Sequence, residues 1–186
     1  MTLMLVVALA APAGAMVALA QEDWKSMENE SKRMKIKETA QASFNEVMEK
    51  NPKAKELWDQ SHGWAAFDNL KLAFGFSGGG GNGVAVNKKT GVHTYMKMGT
   101  VGVGLGLGAK KYQVVFLFQD EKTFNNFVEK GWQADAGASA VAGGSGAGVA
   151  TGFVNGMAVY QITDKGLMAA ADIAGTKYWK NDKLNQ

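Results

Sequence analysis

Two periodicities divide the chain. Over residues 22–50 the apolar positions Trp24, Met27, Met34, Ile36, Ala40, Phe44, Val47 and Met48 recur mostly at three- and four-residue steps, which is helix spacing. No proline or glycine interrupts the run, and good helix formers fill it. Glu22 and Asp23 suit the positive end of a helix and Lys50 the negative end. Asn51-Pro52 restarts the helix, with Asn as cap and Pro in the first turn. A short second helix follows over 53–60, with Ala54, Leu57 and Trp58 inward and Gly63 as its stop.

From Trp64 onward the period falls to two, the strand period. Strands are predicted over 64–67, 72–76 and 84–86, with 78–83 as a turn or bulged crossing. Lys88-Lys89-Thr90-Gly91 reads as a hairpin turn. The return strand, 92–98, places His93, Tyr95 and Lys97 on one face and Val92, Thr94, Met96 and Met98 on the other. Next, Gly102, Gly104, Gly106 and Gly108 alternate with Val101, Val103, Leu105 and Leu107. Read as one strand over 101–107, this segment has a bare face that admits a backbone, a ring or a lipid chain. The domain's own aromatics, Trp132, Phe116 or Phe118, are the expected occupants. Lys110-Lys111 marks the next turn, and 114–118 is a strand covered on both sides.

Asp120 caps a helix over 120–130, with Phe124, Phe127 and Val128 inward and Gly131 as stop. Extended chain follows over 132–142, while 143–152 stays unassigned. Residues 153–162 and 167–173 form a hairpin across Asp164-Lys165-Gly166, and 177–179 is a last short strand. Seven to nine strands with two or three helices predict an α+β fold: a mainly antiparallel β sheet or partly closed barrel, with N-terminal helices and one helix inserted between strands.

Composition narrows the chemistry. The 186 residues suffice for one domain with a core. Without cysteine there is no disulfide, thiolate zinc site or cysteine nucleophile. Two histidines, His62 and His93, leave little for a metal cluster, and His93 reads as an ordinary strand residue. No cofactor and no nucleic-acid partner is expected. Residues 3–19 are apolar and Ala18-Leu19-Ala20 fits a small-x-small cleavage pattern, so 1–20 reads as a signal peptide and the protein as exported, periplasmic or envelope-associated. An uncleaved anchor is the rival, but the run is short and alanine-rich for a span.

Catalytic motifs fail on context. Gly75-Phe76-Ser77-Gly78-Gly79 matches G-x-S-x-G, yet four glycines after Ser77 cannot open the helix that a hydrolase elbow needs. No Gly-Lys-Ser or Gly-Lys-Thr follows a glycine run, which removes the phosphate loop. Gly144, Gly148 and Gly152 lie four apart, but in a segment too short and polar for a membrane zipper.

Charge is more informative. The net of +3 divides into eight basic residues against ten acids over 21–68, a net of −2, and twelve lysines against seven acids from Asn69 onward, a net of +5. Lys88-Lys89 and Lys110-Lys111 both read as turns. On one rim, these four would face an anionic membrane together, at roughly 1 kcal/mol each. In the helical section, Lys32-Arg33-Met34-Lys35-Ile36-Lys37 reads either as a membrane-surface helix or as a charged face on a helix packed against its own domain, with Glu28, Glu30 and Glu38 flanking it.

The blocks AKELWDQSHGWAAF, LAFGFSGGGGNGVAV, GTVGVGLGLGAK, VVFLFQDEKTFNNFVEKGWQADAGASAVA and KGLMAAADIAGTKYW, in this order, resemble the SYLF lipid-binding domain. The resemblance runs from about Ala54 to the end, giving 1–20 signal peptide, 21–50 N-terminal amphipathic helix and 51–186 SYLF-like domain. It implies a mainly β domain that binds anionic phospholipid and has no catalytic activity. In eukaryotic members an amphipathic segment ahead of the domain assists membrane binding, and 22–50 occupies that place. Lys88, Lys89, Lys110 and Lys111 are the expected head-group contacts, on charge rather than on any family motif. The alternative is a structural or interaction protein of the bacterial envelope, with the N-terminal helix meeting a protein partner.

Overall fold

The computed structural model describes residues 13–74, 77–102, 107–134, 152–164, 166–169 and 175–186. Helix α1 spans Ala13–Lys50, so it begins inside the segment read as a leader. Its apolar residues do not form one stripe. Ala40, Phe44 and Val47 are buried on the domain, with Ile36 and Met48 packed beside them. At about 100° per residue, Trp24, Met27 and Met34 fall on the opposite side of the helix, and all three are exposed. Among the described side chains of α1, those that join the core come from its second half.

Asn51 ends α1 and caps α2 (Pro52–Asp59), its side-chain oxygen accepting from the Ala54 N–H at 3.1 Å. Gly63 does not stop this helix. It opens the first strand, where a Cβ would lie 2.7 Å from Val86 O and 2.8 Å from the Phe124 ring.

Among the described residues eight strands follow: β1 (Gly63–Phe74), β2 (Ser77–Asn87), β3 (His93–Gly102), β4 (Leu107–Phe118), β5 (Trp132–Gln133), β6 (Met157–Thr163), β7 (Gly166–Ala169) and β8 (Thr176–Lys180). Helix α3 (Glu121–Lys130) lies between β4 and β5, with the Asp120 side chain accepting from the Thr123 N–H. The sheet order is β5-β8-β3-β2-β1-β4-β6-β7, antiparallel throughout. β3-β2-β1-β4 is a Greek-key order, in which the fourth strand returns beside the first.

Three expectations are corrected here. The strands predicted over 64–67 and 72–76 join into one strand, β1, which runs to Phe74, residues 75–76 lying outside the described residues. The glycines at 78–83 are not a turn: they pair residue by residue within β2, from Gly83↔Phe67 to Gly78↔Leu72. They are tolerated there because the neighbouring strand comes close. A Cβ on Gly79 would meet Leu70 O at 2.5 Å, and one on Gly83 would meet Ala66 O at 2.3 Å. Finally, Lys110-Lys111 is not a turn but lies within β4, opposite Lys71 and Leu70. β3 ends at Gly102 and β4 begins at Leu107. The strand predicted over 101–107 is thus shared between β3 and β4, and most of its bare face, at 103–106, lies outside the described residues. So does nearly all of 143–152.

The sheet is curled. β8 and β4 are four strands apart, about 19 Å in a flat sheet, yet the rings of Tyr178 and Phe116 are 5.1 Å apart. Inside the curl, Phe67, Phe116, Phe118 and Tyr178 pack with Phe127 of α3 and with Trp132. Outside it, Trp64, Ala66, Val84, Val115, Leu117 and Tyr160 form a second core under α1 and α2. Phe44 of α1 meets Trp64 at 4.5 Å and Trp58 at 5.0 Å. This architecture is a curled half-barrel with helices on both faces, as the α+β reading expects.

Candidate functional site

The four lysines singled out from charge do not share a rim. Lys88 and Lys89 sit in the β2–β3 turn, at the end of the sheet where β1 begins. Asn87 Oδ1 shapes that turn by accepting from the Lys89 and Thr90 N–H groups, both at 3.0 Å. Lys88 is engaged with α2: its Nζ donates to Trp58 O (2.7 Å) and Asp59 O (3.1 Å) and lies 4.4 Å over the Trp58 ring. Lys89 is exposed. Lys110 and Lys111 lie eight and seven residues along β4 from Phe118, toward the other end of the sheet, at least about 23 Å away along the strand. Being adjacent in a strand, they point to opposite faces.

The structure assembles a different set. Between α1 and the outer face of the sheet lies a cleft of about 530 Å3, lined by Lys32, Lys35, Lys97 and Lys183 together with Asp68, Asn29, Thr39, Asn82 and Asn181. Its floor is one cross-strand row, Asp68↔Asn82↔Lys97. Gln113 extends the row, its Nε2 donating to Asp68 Oδ1 at 3.0 Å. Its far wall is the 3-10 turn Asp182–Leu184, held from two sides. Asn185 brackets Tyr95, accepting from its N–H at 2.9 Å and donating to its carbonyl at 2.7 Å. Arg33 donates from Nε to Leu184 O (2.9 Å) and from Nη2 to Gln186 O (2.8 Å). Lys32 pairs with Glu28 at 2.6 Å, which holds the Glu28 carboxyl below its usual range. Four ammonium groups thus line the cleft against one lining carboxylate, Asp68, with Lys32 already paired to Glu28.

Beside the cleft the outer face turns apolar. The next rows along the sheet are Leu70↔Gly80↔Gly99 and Leu72↔Gly78, and Leu70 and Leu72 are exposed. Lys111, opposite Leu70, stands at the edge of this patch. Trp179 folds over Gly99, so that a Cβ there would be 3.1 Å from the indole. The result is a shallow trough floored by Gly78 and Gly80 and walled by two leucines and a tryptophan.

No single-sequence signal joins these residues. Lys32 and Lys35 belong to the basic cluster of α1, and Lys97 to the face of β3 shared with His93 and Tyr95. Lys183 comes from the far end of the chain. Only the strand register and the Arg33 and Asn185 contacts unite them.

The remaining candidates carry no site. Ser77 opens β2 and is buried, so a strand rather than a helix follows it. His62 bonds Asn87 at 3.0 Å. His93 is pushed below its usual pKa by burial and then by Lys37. Among the described residues no group of three metal-ligating side chains occurs, and no helix is long and apolar enough to cross a membrane.

Residues 99–186 match the family Ysc84, described as "Las17-binding protein actin regulator". The chain is also similar to Beta cell expansion factor A of Aeromonas veronii, 42% identical over 154 residues, 83% of this chain and 59% of that protein. It therefore spans well under two thirds of this relative's length. Residues 99–186 belong to the Ysc84 (SYLF) domain family.

Proposed function

We propose that this protein binds anionic phospholipid without catalysing a reaction, as an exported component of a bacterial envelope. SYLF domains bind lipid in general. The observation that carries the finer reading is the lysine-lined cleft beside an exposed apolar patch on the same sheet face. Near an anionic surface each lysine adds roughly 1 kcal/mol, and salt weakens the attraction. Lys111 joins at the patch edge, with Lys110 across the sheet from it. Lys89 contributes at the distant turn. Lys88, held by Trp58 and Asp59, contributes least. Export is supported by the apolar run 3–19 and its small-x-small end.

Sedimentation with vesicles of phosphatidylglycerol in phosphatidylcholine tests the proposal. Binding is expected at low salt and should fall steeply at 0.5 M. Replacing Lys35, Lys97 and Lys183 by Gln should weaken it more than replacing Lys88 and Lys89. Absence of binding to any anionic vesicle overturns the reading.

A second reading is favoured by the exposed row Trp24, Met27 and Met34 on α1, and by the protein-binding description of the family. On it, the free half of α1 meets a protein partner. Cross-linking of the lipid-free protein through residues 24–34 would support it, and its absence would count against it.

A further inference from the structure

The glycines of β2 fall into two classes. On the inner face, Gly79, Gly81 and Gly83 are required: an added Cβ would come within 2.5, 2.1 and 2.3 Å of Leu70 O, Asn69 Oδ1 and Ala66 O. On the outer face, Gly78 and Gly80 are not. Their nearest described neighbours to a Cβ would be Thr100 O at 4.0 Å and Met98 O at 3.5 Å, ordinary contact distances. Neither has a positive φ. Glycine in a strand is unfavourable, and here neither backbone conformation nor described packing asks for it.

We infer that Gly78 and Gly80 keep the trough open for the chain of a single-chain anionic amphiphile whose head group sits in the lysine cleft. The inference rests on the lipid-binding reading and narrows it to one molecule held by one protein. Three observations fit that occupant. The walls Leu70, Leu72 and Trp179 are apolar and exposed. The trough continues directly from the cleft along β2, through Asn82, Gly80 and Gly78. From Asn82 to Gly78 it runs about 13 Å at the strand rise, the reach of a medium-length acyl chain. The charge is complementary at the head-group end, where Lys35, Lys97 and Lys183 line the cleft, while Leu70, Leu72 and bare backbone line the trough with Lys111 at its edge.

The test uses the full chain with dodecyl phosphate below its micelle concentration, inorganic phosphate, and the same anionic vesicles. Calorimetry should show one dodecyl phosphate per protein, bound at least ten-fold more tightly than inorganic phosphate. The double variant Gly78→Val and Gly80→Val fills the trough with side chains that suit a strand. It should retain or raise the thermal midpoint while losing at least ten-fold in dodecyl phosphate affinity. Leu72→Asn, a second variant, should weaken binding in the same sense. Wild-type affinity in the folded double variant overturns the inference, as does equal affinity for inorganic phosphate. If vesicles sediment the protein but dodecyl phosphate does not bind, this inference alone fails. If neither binds, the lipid reading fails with it.

Discussion

The edge of the Trp179 indole lies over Gly99, near enough that a methyl group there would sit 3.1 Å from its ring. A strand residue without a side chain has become the seat for one from the neighbouring strand. Gly99→Ala should be a mild change, because Trp179 is 38% exposed and can tilt outward. The expected cost is under about 1 kcal/mol, together with a shift in tryptophan fluorescence.

Gly83→Ala is expected to be far more damaging. Its Cβ would collide with backbone, Ala66 O at 2.3 Å, and with the buried Phe67 ring at 2.4 Å. Overpacking of this kind costs about 1–3 kcal/mol or more. Urea denaturation of Gly83→Ala, Gly99→Ala and Gly80→Ala should rank them in that order, most damaging first. A Gly80→Ala variant as unstable as Gly83→Ala would contradict the two-class reading of β2.

Lys88 should matter for stability rather than for lipid. Its Nζ caps the last carbonyls of α2 and stacks on Trp58. Lys88→Ala is expected to cost about 0.5–1 kcal/mol, and Lys89→Ala close to nothing. Thermal midpoints of the two single variants decide the point.

Asp120 caps α3, and its bond from the Thr123 N–H holds its carboxyl below the usual range. Asp120→Ala should cost about 1 kcal/mol at neutral pH. A depressed folded-state pKa means that stability is present above the unfolded value near 3.9 and is lost as pH falls through the folded one. The gap between wild type and Asp120→Ala should therefore narrow below about pH 4. An unchanged gap at pH 2 would refute the assignment.

Alkali should attack both cores, through Tyr178 inside the curl and Tyr160 outside it. Burial pushes the Tyr160 hydroxyl up to about 12, and Tyr178 is also raised by burial. A raised pKa contributes stability below the unfolded value near 10 that is lost as pH climbs toward the folded one. Unfolding followed by circular dichroism should set in above about pH 10, together with tyrosinate absorbance. Tyr160→Phe removes a hydroxyl with no partner among the described residues and should resist this transition better.

Local chemistry was the legible part of this fold. The Asn51-Pro52 restart, the Asp120 and Gly131 boundaries of α3, and the Lys88–Gly91 turn all depend on neighbours in sequence, and all are found. The apolar face of β3, Met96 and Met98, is also found in the core. Misreadings arose where residues answer to distant partners. Gly78–Gly83 resembles a turn by composition, but its glycines accommodate β1 alongside. Lys110-Lys111 resembles a turn by charge, but pairing with Lys71 and Leu70 of β1 keeps it extended. The basic cleft was illegible for the same reason: Lys97 meets Lys32 and Lys35 through the packing of α1 on the sheet, and Lys183 joins them because Arg33 and Asn185 fasten the end of the chain over β3.

The strand order also governs what can be cut from this protein. Residues 99–186, the stretch that defines the family match, include β4 to β8 but neither β1 nor β2. Those two lie side by side in the middle of the sheet, between β3 and β4. Expressed alone, the matched stretch would leave two flaps, one around β8 and one around β4, with a two-strand gap between them. Each flap would carry a raw edge, and raw edges pair with whatever chain comes next. The smallest piece worth expressing therefore begins before Gly63, well upstream of the boundary that similarity draws.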